Sequence, residues 1–287
     1  MNSALTLSIV IPVYNEENYL KACLDAIAVQ TVRPHEVIVV DNNSTDRSVE
    51  IAKSYDFVKL VTEKRQGRGF ARSAGFDAAS SDILGRIDAD SILAPDWAER
   101  VLNDFKDQTV YGVTGLGQTN LIFGINSFYI TFWSRVYFWT SHALFQANTM
   151  WGANMAIRRS AWMEARAHTC PDDQLVHEDQ DLSLVMLGQG RAIVQDNKLL
   201  IKTAGRSYLY WPKFWEYLKR TFKTKQYHID KHTLADNSPL RINALILLPG
   251  AIVGWFFSGI FIVYSLLSWP IFALIKRFNK KWKQLLR

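Results

Sequence analysis

Ile83-Leu-Gly-Arg-Ile-Asp-Ala-Asp90 is an apolar run that closes on two carboxylates. Ile83–Ile87 reads as a buried strand, and it stops at Asp88. Three earlier runs have the same character: Ser8–Val13, Val37–Val40 ending at Asp41, and Val58–Thr62. Helical spacing fills the intervals. Leu20, Cys23, Leu24, Ile27 and Ala28 recur on one face, behind a cap expected at Asn15 with Glu16 and Glu17 in the first turn. Asp46–Tyr55 and Gly67–Ala79 read as two further short helices. Strands alternating with helices specify an α/β fold with a mostly parallel central sheet flanked by helices. Polar residues stand where the strands end, which is where such sheets hold ligands.

The rest of the chain adds other signals. Of 287 residues, 48% are hydrophobic and 21% charged, a balance that excludes a disordered chain or a disulfide-rich secreted module. The two cysteines, Cys23 and Cys170, are expected as free thiols in a reducing compartment. Met1–Leu7 lacks a basic leader, so the first domain is expected on the cytoplasmic side. Leu121–Met150 is crowded with aromatics and reads either as a core helix or as one facing lipid or acceptor. Gly152–Ile157 reads as a strand, and Ser160–Arg166 and Glu178–Leu187 as helices. Tyr208–Tyr227 mixes aromatics with Lys213, Lys219, Arg220, Lys223 and Lys225, which suits either a bilayer interface or a solvated basic face.

The tail is more distinctive. No charged residue occurs from Ile242 to Ile275, and about 20 apolar residues suffice to cross a bilayer. The run exceeds one straight span, falls short of two, and is divided by Pro270. A single span and a re-entrant hairpin near Ser258–Gly259 both fit, with the hairpin favoured because both flanks are basic. Beyond Pro270, one helical face is apolar and the other carries Lys276, Arg277, Lys280, Lys281 and Lys283. The net charge of +6 is thus assigned to a membrane surface, and nucleic acid is not an expected partner. Three regions follow: residues 1–207 as a catalytic domain, 208–241 as an interfacial region, and 242–287 as a membrane anchor.

Two constellations carry chemistry. In an extended chain, Asp88 and Asp90 point to the same side, and paired carboxylates there suit a hard divalent cation, Mg²⁺ or Mn²⁺. His177-Glu178-Asp179-Gln180-Asp181-Leu182 places carboxylates at a helix start, where one can accept a proton from an attacking hydroxyl; an acidic helix cap is the plainer alternative. His168, Cys170 and His177 do not have zinc-site spacing. Gly67, Gly69 and Gly75 do not form a dinucleotide fingerprint, and no phosphate-loop lysine pattern is present.

Taken together, Ser8-Ile-Val-Ile-Pro-Val-Tyr-Asn-Glu-Glu17, Val39-Val-Asp-Asn-Asn-Ser-Thr-Asp46, Asp88-Ala-Asp90, Trp151–Arg159 and Glu178-Asp-Gln-Asp-Leu182 resemble glycosyltransferase family two. The resemblance runs from about Leu5 to Ser207 and implies a GT-A fold, which is Rossmann-like. It implies inverting transfer of a sugar from a nucleotide-sugar, UDP favoured, to an acceptor hydroxyl or phosphate. It assigns Pro12, Tyr14 and Glu16 to the nucleoside loop and Asp41 to the base. Asp88 and Asp90 match the metal and ribose motif, with Asp90 the stronger metal ligand. Asp179 matches the catalytic base beside Glu178, and Gly152 and Asn154 match the loop near acceptor and donor sugar. Arg206 matches a basic residue facing the pyrophosphate. With the apolar tail, a lipid-linked or cell-envelope glycan acceptor is expected. Alternatives are a polyprenyl-phosphate sugar synthase, whose Gln-His-Pro-Pro pattern is missing after Asp90, an inactive membrane scaffold, and a nucleotidyltransferase.

Overall fold

The computed structural model describes residues 4–118, 147–204 and 211–231, and a few positions between 134 and 145. The aromatic segment (mostly), Arg206 and the apolar tail lie outside the described residues. Among the described residues, no helix is long and apolar enough to cross a membrane.

One eight-stranded sheet organises the molecule, in the order β3-β2-β1-β4-β7-β6-β8-β5. The strands are β1 Leu7–Val13, β2 Glu36–Asp41, β3 Val58–Thr62, β4 Ile83–Ile87, β5 Ser91–Leu93, β6 Val110–Gln118, β7 Asn154–Arg158 and β8 Ala192–Thr203. The helices are α1 Leu20–Ala28, α2 Ser48–Lys53, α3 Arg68–Ala78, α4 Trp97–Asp104, α5 Arg159–Ala165, α6 Glu178–Gly188 and α7 Trp211–Asp230. β1 to β4 pair in parallel, as the sequence leads one to expect. Beyond β4 the sheet is mixed. β7 runs antiparallel to both β4 and β6, while β6 and β8 are parallel. The expectation of a mostly parallel sheet holds for β1 to β4 and for the β6–β8 pair, while β7 and β5 join antiparallel.

Both faces of the sheet are covered over β1, β2 and β4, which is why those strands are largely apolar. Ile9, Ile11, Val37 and Val39 pack under Leu20, Leu24 and Ile27 of α1 and Trp97 and Val101 of α4. The alternate residues Val10, Ile38, Val40 and Leu84 pack under Phe76 of α3, Trp162 of α5 and Leu182 and Met186 of α6. Helix α3 lies so close to the sheet that a Cβ at Gly75 would stand 2.3 Å from Val10 Cγ1 and 2.9 Å from Val40 Cγ2. Gly75 therefore serves helix–sheet packing.

Helix α1 starts later than expected. Asn15 has φ 55° and directs its side chain across to the next loop, where its Oδ1 accepts the Thr45 N–H at 2.8 Å. Glu16 and Glu17 consequently sit in a turn ahead of the helix, with no acidic residue in its first turn. The same loops are laced again by the Glu17 N–H to Asp46 Oδ2 at 3.0 Å and the Glu16 N–H to Ser48 Oγ at 2.8 Å. Asn42 ties in the third loop, donating to the Glu63 and Arg65 carbonyls and accepting from the Gly67 N–H. The carboxyl ends of β1, β2 and β3 thus form one cross-braced rim.

One carboxylate works against this packing. Asp104 ends α4, where the helix dipole disfavours an anion. Burial pushes it up to about 6, neighbouring Asp196 adds to the rise, and Arg100 opposes it. An unfolded aspartate titrates near 3.9, so the folded chain holds this proton more tightly. The contribution to stability is full below about pH 4 and is lost as pH rises through 6. Asp104→Asn is expected to raise the thermal unfolding temperature at pH 8 and to leave it nearly unchanged at pH 4. An equal shift at both pH values would remove the electrostatic explanation.

Candidate functional site

The rim at the carboxyl ends of β1, β2 and β4 holds the first group of candidates. Pro12 is half-buried near the end of β1 and Tyr14, just past it, is 51% exposed. Parallel pairing sets Val13 opposite Asp41, which brings the first loop beside the end of β2. Asp41 is buried, and its Oδ1 accepts the Ser44 N–H at 3.0 Å. Glu16 is half-buried in the turn between them.

Asp88 and Asp90 follow β4, in a conformation different from the expected extended one. A turn forms, closed by the Ser91 N–H to the Asp88 carbonyl at 3.0 Å. The turn lets the chain leave β4 and enter β5, and it places both carboxylates on one short bend. Cys23 of α1 lies beneath it, with its thiol 3.9 Å from the Asp88 carbonyl. Burial raises that thiol far above its ordinary range, and the charges of Asp90 and Asp88 raise it further. Cys23 is therefore held as the neutral thiol beneath the bend. Among the described residues, no cluster of three or more His, Cys, Asp or Glu forms a metal cage. Two hard oxygen donors on an accessible bend fit a different arrangement, in which Mg²⁺ or Mn²⁺ is shared with substrate phosphates.

The second constellation opens α6. Glu178 is buried between two guanidinium groups: Arg72 Nη1 lies 3.0 Å from its Oε2 and Arg86 Nη2 lies 3.2 Å from its Oε1. Burial disfavours its charge, yet Arg86, Arg72 and Arg68 outweigh that and hold it below the usual carboxylate range. Glu178 therefore anchors the helix start. Asp179 is aimed elsewhere. Its Oδ2 accepts the Gly152 N–H at 2.9 Å and its Oδ1 accepts the Gln180 N–H at 2.8 Å. Asp179 is itself buried, and His177 Nδ1 lies 3.9 Å from its Oδ1.

The two constellations meet at Arg86. Besides Glu178, its Nη2 bonds Asp88 Oδ1 at 2.9 Å. Antiparallel pairing of Ile87 with Asn154 sets the loop before β7 beside the turn after β4. There a Cβ at residue 152 would stand 1.6 Å from Arg86 Nη1, so Gly152 makes room for the guanidinium. Asp88, Gly152, Glu178 and Asp179 are thus gathered into one site. Asn154 lies in β7, fully buried. Its Oδ1 accepts from Trp97 Nε1 at 2.8 Å, and its Nδ2 donates to the Leu116 and Leu199 carbonyls. That side chain braces the sheet from within the strand expected over Gly152–Ile157, whereas the family resemblance matches it to a loop near the acceptor and donor sugar. Lys202 is exposed on β8, opposite Ile92, and Arg206 lies outside the described residues.

The sequence reading gave no role to Arg72 or Arg86. Arg86 carried a signal: it is the one charge in an otherwise apolar strand that is buried on both faces. Such a cation needs a buried counter-ion. The reading also missed how α7 is used. The His177 N–H donates to Thr224 Oγ1 at 2.7 Å, and His228 Nε2 meets Asp181 Oδ1 at 3.0 Å. Thr221, Thr224, Lys225 and His228 are buried, while Lys219, Phe222 and Lys223 are exposed. Burial lowers the His177 ring below its ordinary value, opposed by Asp179 and reinforced by Arg220 and Arg68.

The chain can now be compared with known proteins. The model of "Glycosyl transferase family 2" matches residues 8–162, more than half of the chain. The putative glycosyltransferase EpsH of Bacillus subtilis is 34% identical over 107 residues, 36% of this chain and 31% of that protein. Hyaluronan synthase of Pasteurella multocida is 34% identical over 115 residues, 38% of this chain and 12% of that enzyme. The matched stretch thus spans a third or less of these relatives' length. Among solved structures, the mannosyltransferase PcManGT of Pyrobaculum calidifontis, in complex with GDP-Man and Mn²⁺, has a TM-score of 0.58 at 21% identity, over 90% of this chain and 81% of that one. S. aureus TarS in complex with UDP-GlcNAc has a TM-score of 0.53 at 16% identity, over 69% of this chain and 58% of that one. These likenesses establish the GT-A-like α/β fold. With the extent of the family match, they lead to one assignment: the chain belongs to glycosyl transferase family 2.

Proposed function

We propose that the protein is an inverting, metal-dependent glycosyltransferase. It takes a sugar from a nucleotide-sugar, UDP-linked in preference to GDP-linked, and delivers it to a lipid-linked or cell-envelope glycan acceptor. The observation that carries this reading is the gathering of Asp88 and Glu178, ninety positions apart in the chain (178 minus 88), around one buried guanidinium, with Asp179 next to Glu178 and held by the Gly152 N–H. A transferase of this kind needs both ends of that assembly: a place to hold the leaving diphosphate and a base for the incoming hydroxyl.

In this reading Pro12, Tyr14 and Glu16 embrace the nucleoside, and Asp41 reads its base. Asp88 and Asp90 hold Mg²⁺ or Mn²⁺, which when bound supplies a Lewis acid for the charge on the departing diphosphate. Arg206 and Lys202 add positive charge on that side. Asp179 takes the proton from the acceptor hydroxyl on the opposite face of the sugar, which gives inversion. The Gly152 and Gln180 N–H groups keep its carboxylate in one orientation. Glu178 positions the helix that carries it.

The apolar run 242–275 and the basic flanks support a membrane attachment, with the catalytic domain on the cytoplasmic side. An acceptor that stays in the bilayer gives that attachment a purpose. The test is release of nucleoside diphosphate from UDP- and GDP-sugars by the detergent-purified full chain with Mn²⁺, beside Asp90→Ala. One donor class is expected to turn over, and Asp90→Ala to lose at least ~100-fold. Release of sugar 1-phosphate in place of nucleoside diphosphate would point to nucleotidyl transfer and overturn the reading.

A further inference from the structure

Arg86 occupies the seam of the site. Its side chain is 3% exposed, while that of Asp88, its partner at 2.9 Å, is 40% exposed. The same Nη2 reaches Glu178 Oε1 at 3.2 Å. Its Nη1 fills the space under Gly152, whose N–H holds Asp179 Oδ2. Its Nε is buried with no hydrogen-bond partner among the described residues. One buried cation therefore touches the donor-side carboxylate, the anchor of α6 and the loop that orients Asp179. It bonds the first two through a single nitrogen.

Nη2 carries two N–H groups and serves both carboxylates at once, so a change of charge at one alters what the guanidinium gives the other. A divalent cation on Asp88 repels the guanidinium and shares the lone pairs that Arg86 uses. Arg86 then shifts its bonding toward Glu178, which tightens the packing beneath Gly152. We infer that Arg86 is a positioning residue that couples metal and donor binding at Asp88 to the placement of Asp179. With the donor side empty it caps Asp88; with the donor side filled it braces α6 and the Gly152 loop. This inference rests on the metal-dependent reading given above.

The coupling has a signature that a plain scaffolding role lacks. Loss of the guanidinium removes a competitor for Asp88, so divalent-ion binding is kept or strengthened. The same loss frees the Gly152 loop, so turnover falls. Damage to the scaffold alone weakens both. Arg86→Gln leaves Glu178 paired with Arg72, which favours retention of the fold.

The experiment uses the full chain in detergent. Mn²⁺ is titrated at saturating UDP or GDP, whichever the wild type binds, and turnover is followed by nucleoside diphosphate release. Arg86→Gln is expected to half-saturate at the same or up to ~10-fold lower Mn²⁺, with kcat reduced ~100-fold and donor KM within about threefold. Arg86→Lys keeps the charge but reaches one carboxylate at a time. It is expected to show the wild-type Mn²⁺ dependence with kcat lowered ~10-fold, and it carries the test if the Gln variant does not fold. A higher Mn²⁺ requirement together with lower turnover in a folded Arg86→Gln protein overturns the coupling. So does unchanged kcat in either variant. If the wild type itself binds neither nucleotide in a Mn²⁺-dependent way, the proposed function fails. Wild-type dependence with parallel losses in the variants defeats the coupling alone.

Discussion

Asp179→Asn is expected to lower turnover by ~10³-fold or more while changing nucleotide affinity by less than about threefold. A general base contributes about 10²–10⁴-fold, and the substitution has a second effect here. Asp179 accepts one backbone N–H on each oxygen, from Gly152 and from Gln180. An asparagine offers one oxygen and one NH₂, so one of those N–H groups faces a donor. The substitution removes the base and also loosens the contact with the Gly152 loop. The nucleotide site proposed at Asp41, Asp88 and Asp90 does not include Asp179, so binding is expected to persist. Calorimetry on the variant, beside a rate measurement with saturating donor, separates the two quantities. Near-normal turnover would remove Asp179 from the mechanism.

Glu178→Ala is expected to destabilise the fold by about 3–5 kcal/mol, against a typical total of 5–15. The carboxylate is buried, and its two partners are also buried, with Arg72 at 0% and Arg86 at 3% side-chain exposure. Truncation leaves two guanidinium groups together without their shared counter-ion. Arg86 retains Asp88, but Arg72 retains no counter-ion among the described residues, keeping the Glu178 carbonyl, the Ser73 hydroxyl and the Trp162 ring at 5.5 Å. Glu178→Gln keeps an acceptor and is expected to cost less. Thermal unfolding of the detergent-purified protein measures the difference, with a fall of roughly 10 °C expected for the Ala variant. A melt like that of the wild type would mean that the buried cluster rearranges without cost.

The parallel half of the fold was legible because its strands are largely apolar and bounded by polar turns. Val58–Thr62 and Ile83–Ile87 match the structure residue for residue. In the second half β7, α5 and α6 were legible, from Gly152–Ile157, Ser160–Arg166 and Glu178–Leu187, but β6 and β8 were not. β6 is Val-Tyr-Gly-Val-Thr-Gly-Leu-Gly-Gln, where glycines interrupt the apolar pattern. At Gly115 the Leu199 carbonyl would stand 2.0 Å from an added Cβ. That close approach of two backbones is a tertiary fact with no local trace. β8 carries polar residues through a register shift opposite Gly115 and Leu116. Its alternation is broken where the strand bulges.

In the site, the carboxylates were visible as motifs, yet the groups that join them were less so. Asp88 and Asp179 could be named from their neighbours in sequence. Their link through Arg86 depends on the antiparallel register of β4 with β7, which no local pattern encodes. Asn154 illustrates the converse. The family resemblance matches it to a loop near the acceptor and donor sugar, but the first residue of β7 points into the sheet and bonds Trp97, Leu116 and Leu199. Helix α7 reads as amphipathic and basic from sequence. Contact with α6 decides which of its residues are withdrawn from solvent, and Thr224 and His228 are among them.

The decisive measurement is calorimetry of UDP and GDP binding to the purified 287-residue chain, with and without Mn²⁺. One nucleoside diphosphate is expected to bind, Mn²⁺ to strengthen the binding, and Asp90→Ala to abolish the strengthening. No binding of either nucleotide under any condition, by a protein that melts cooperatively, would contradict the proposed function.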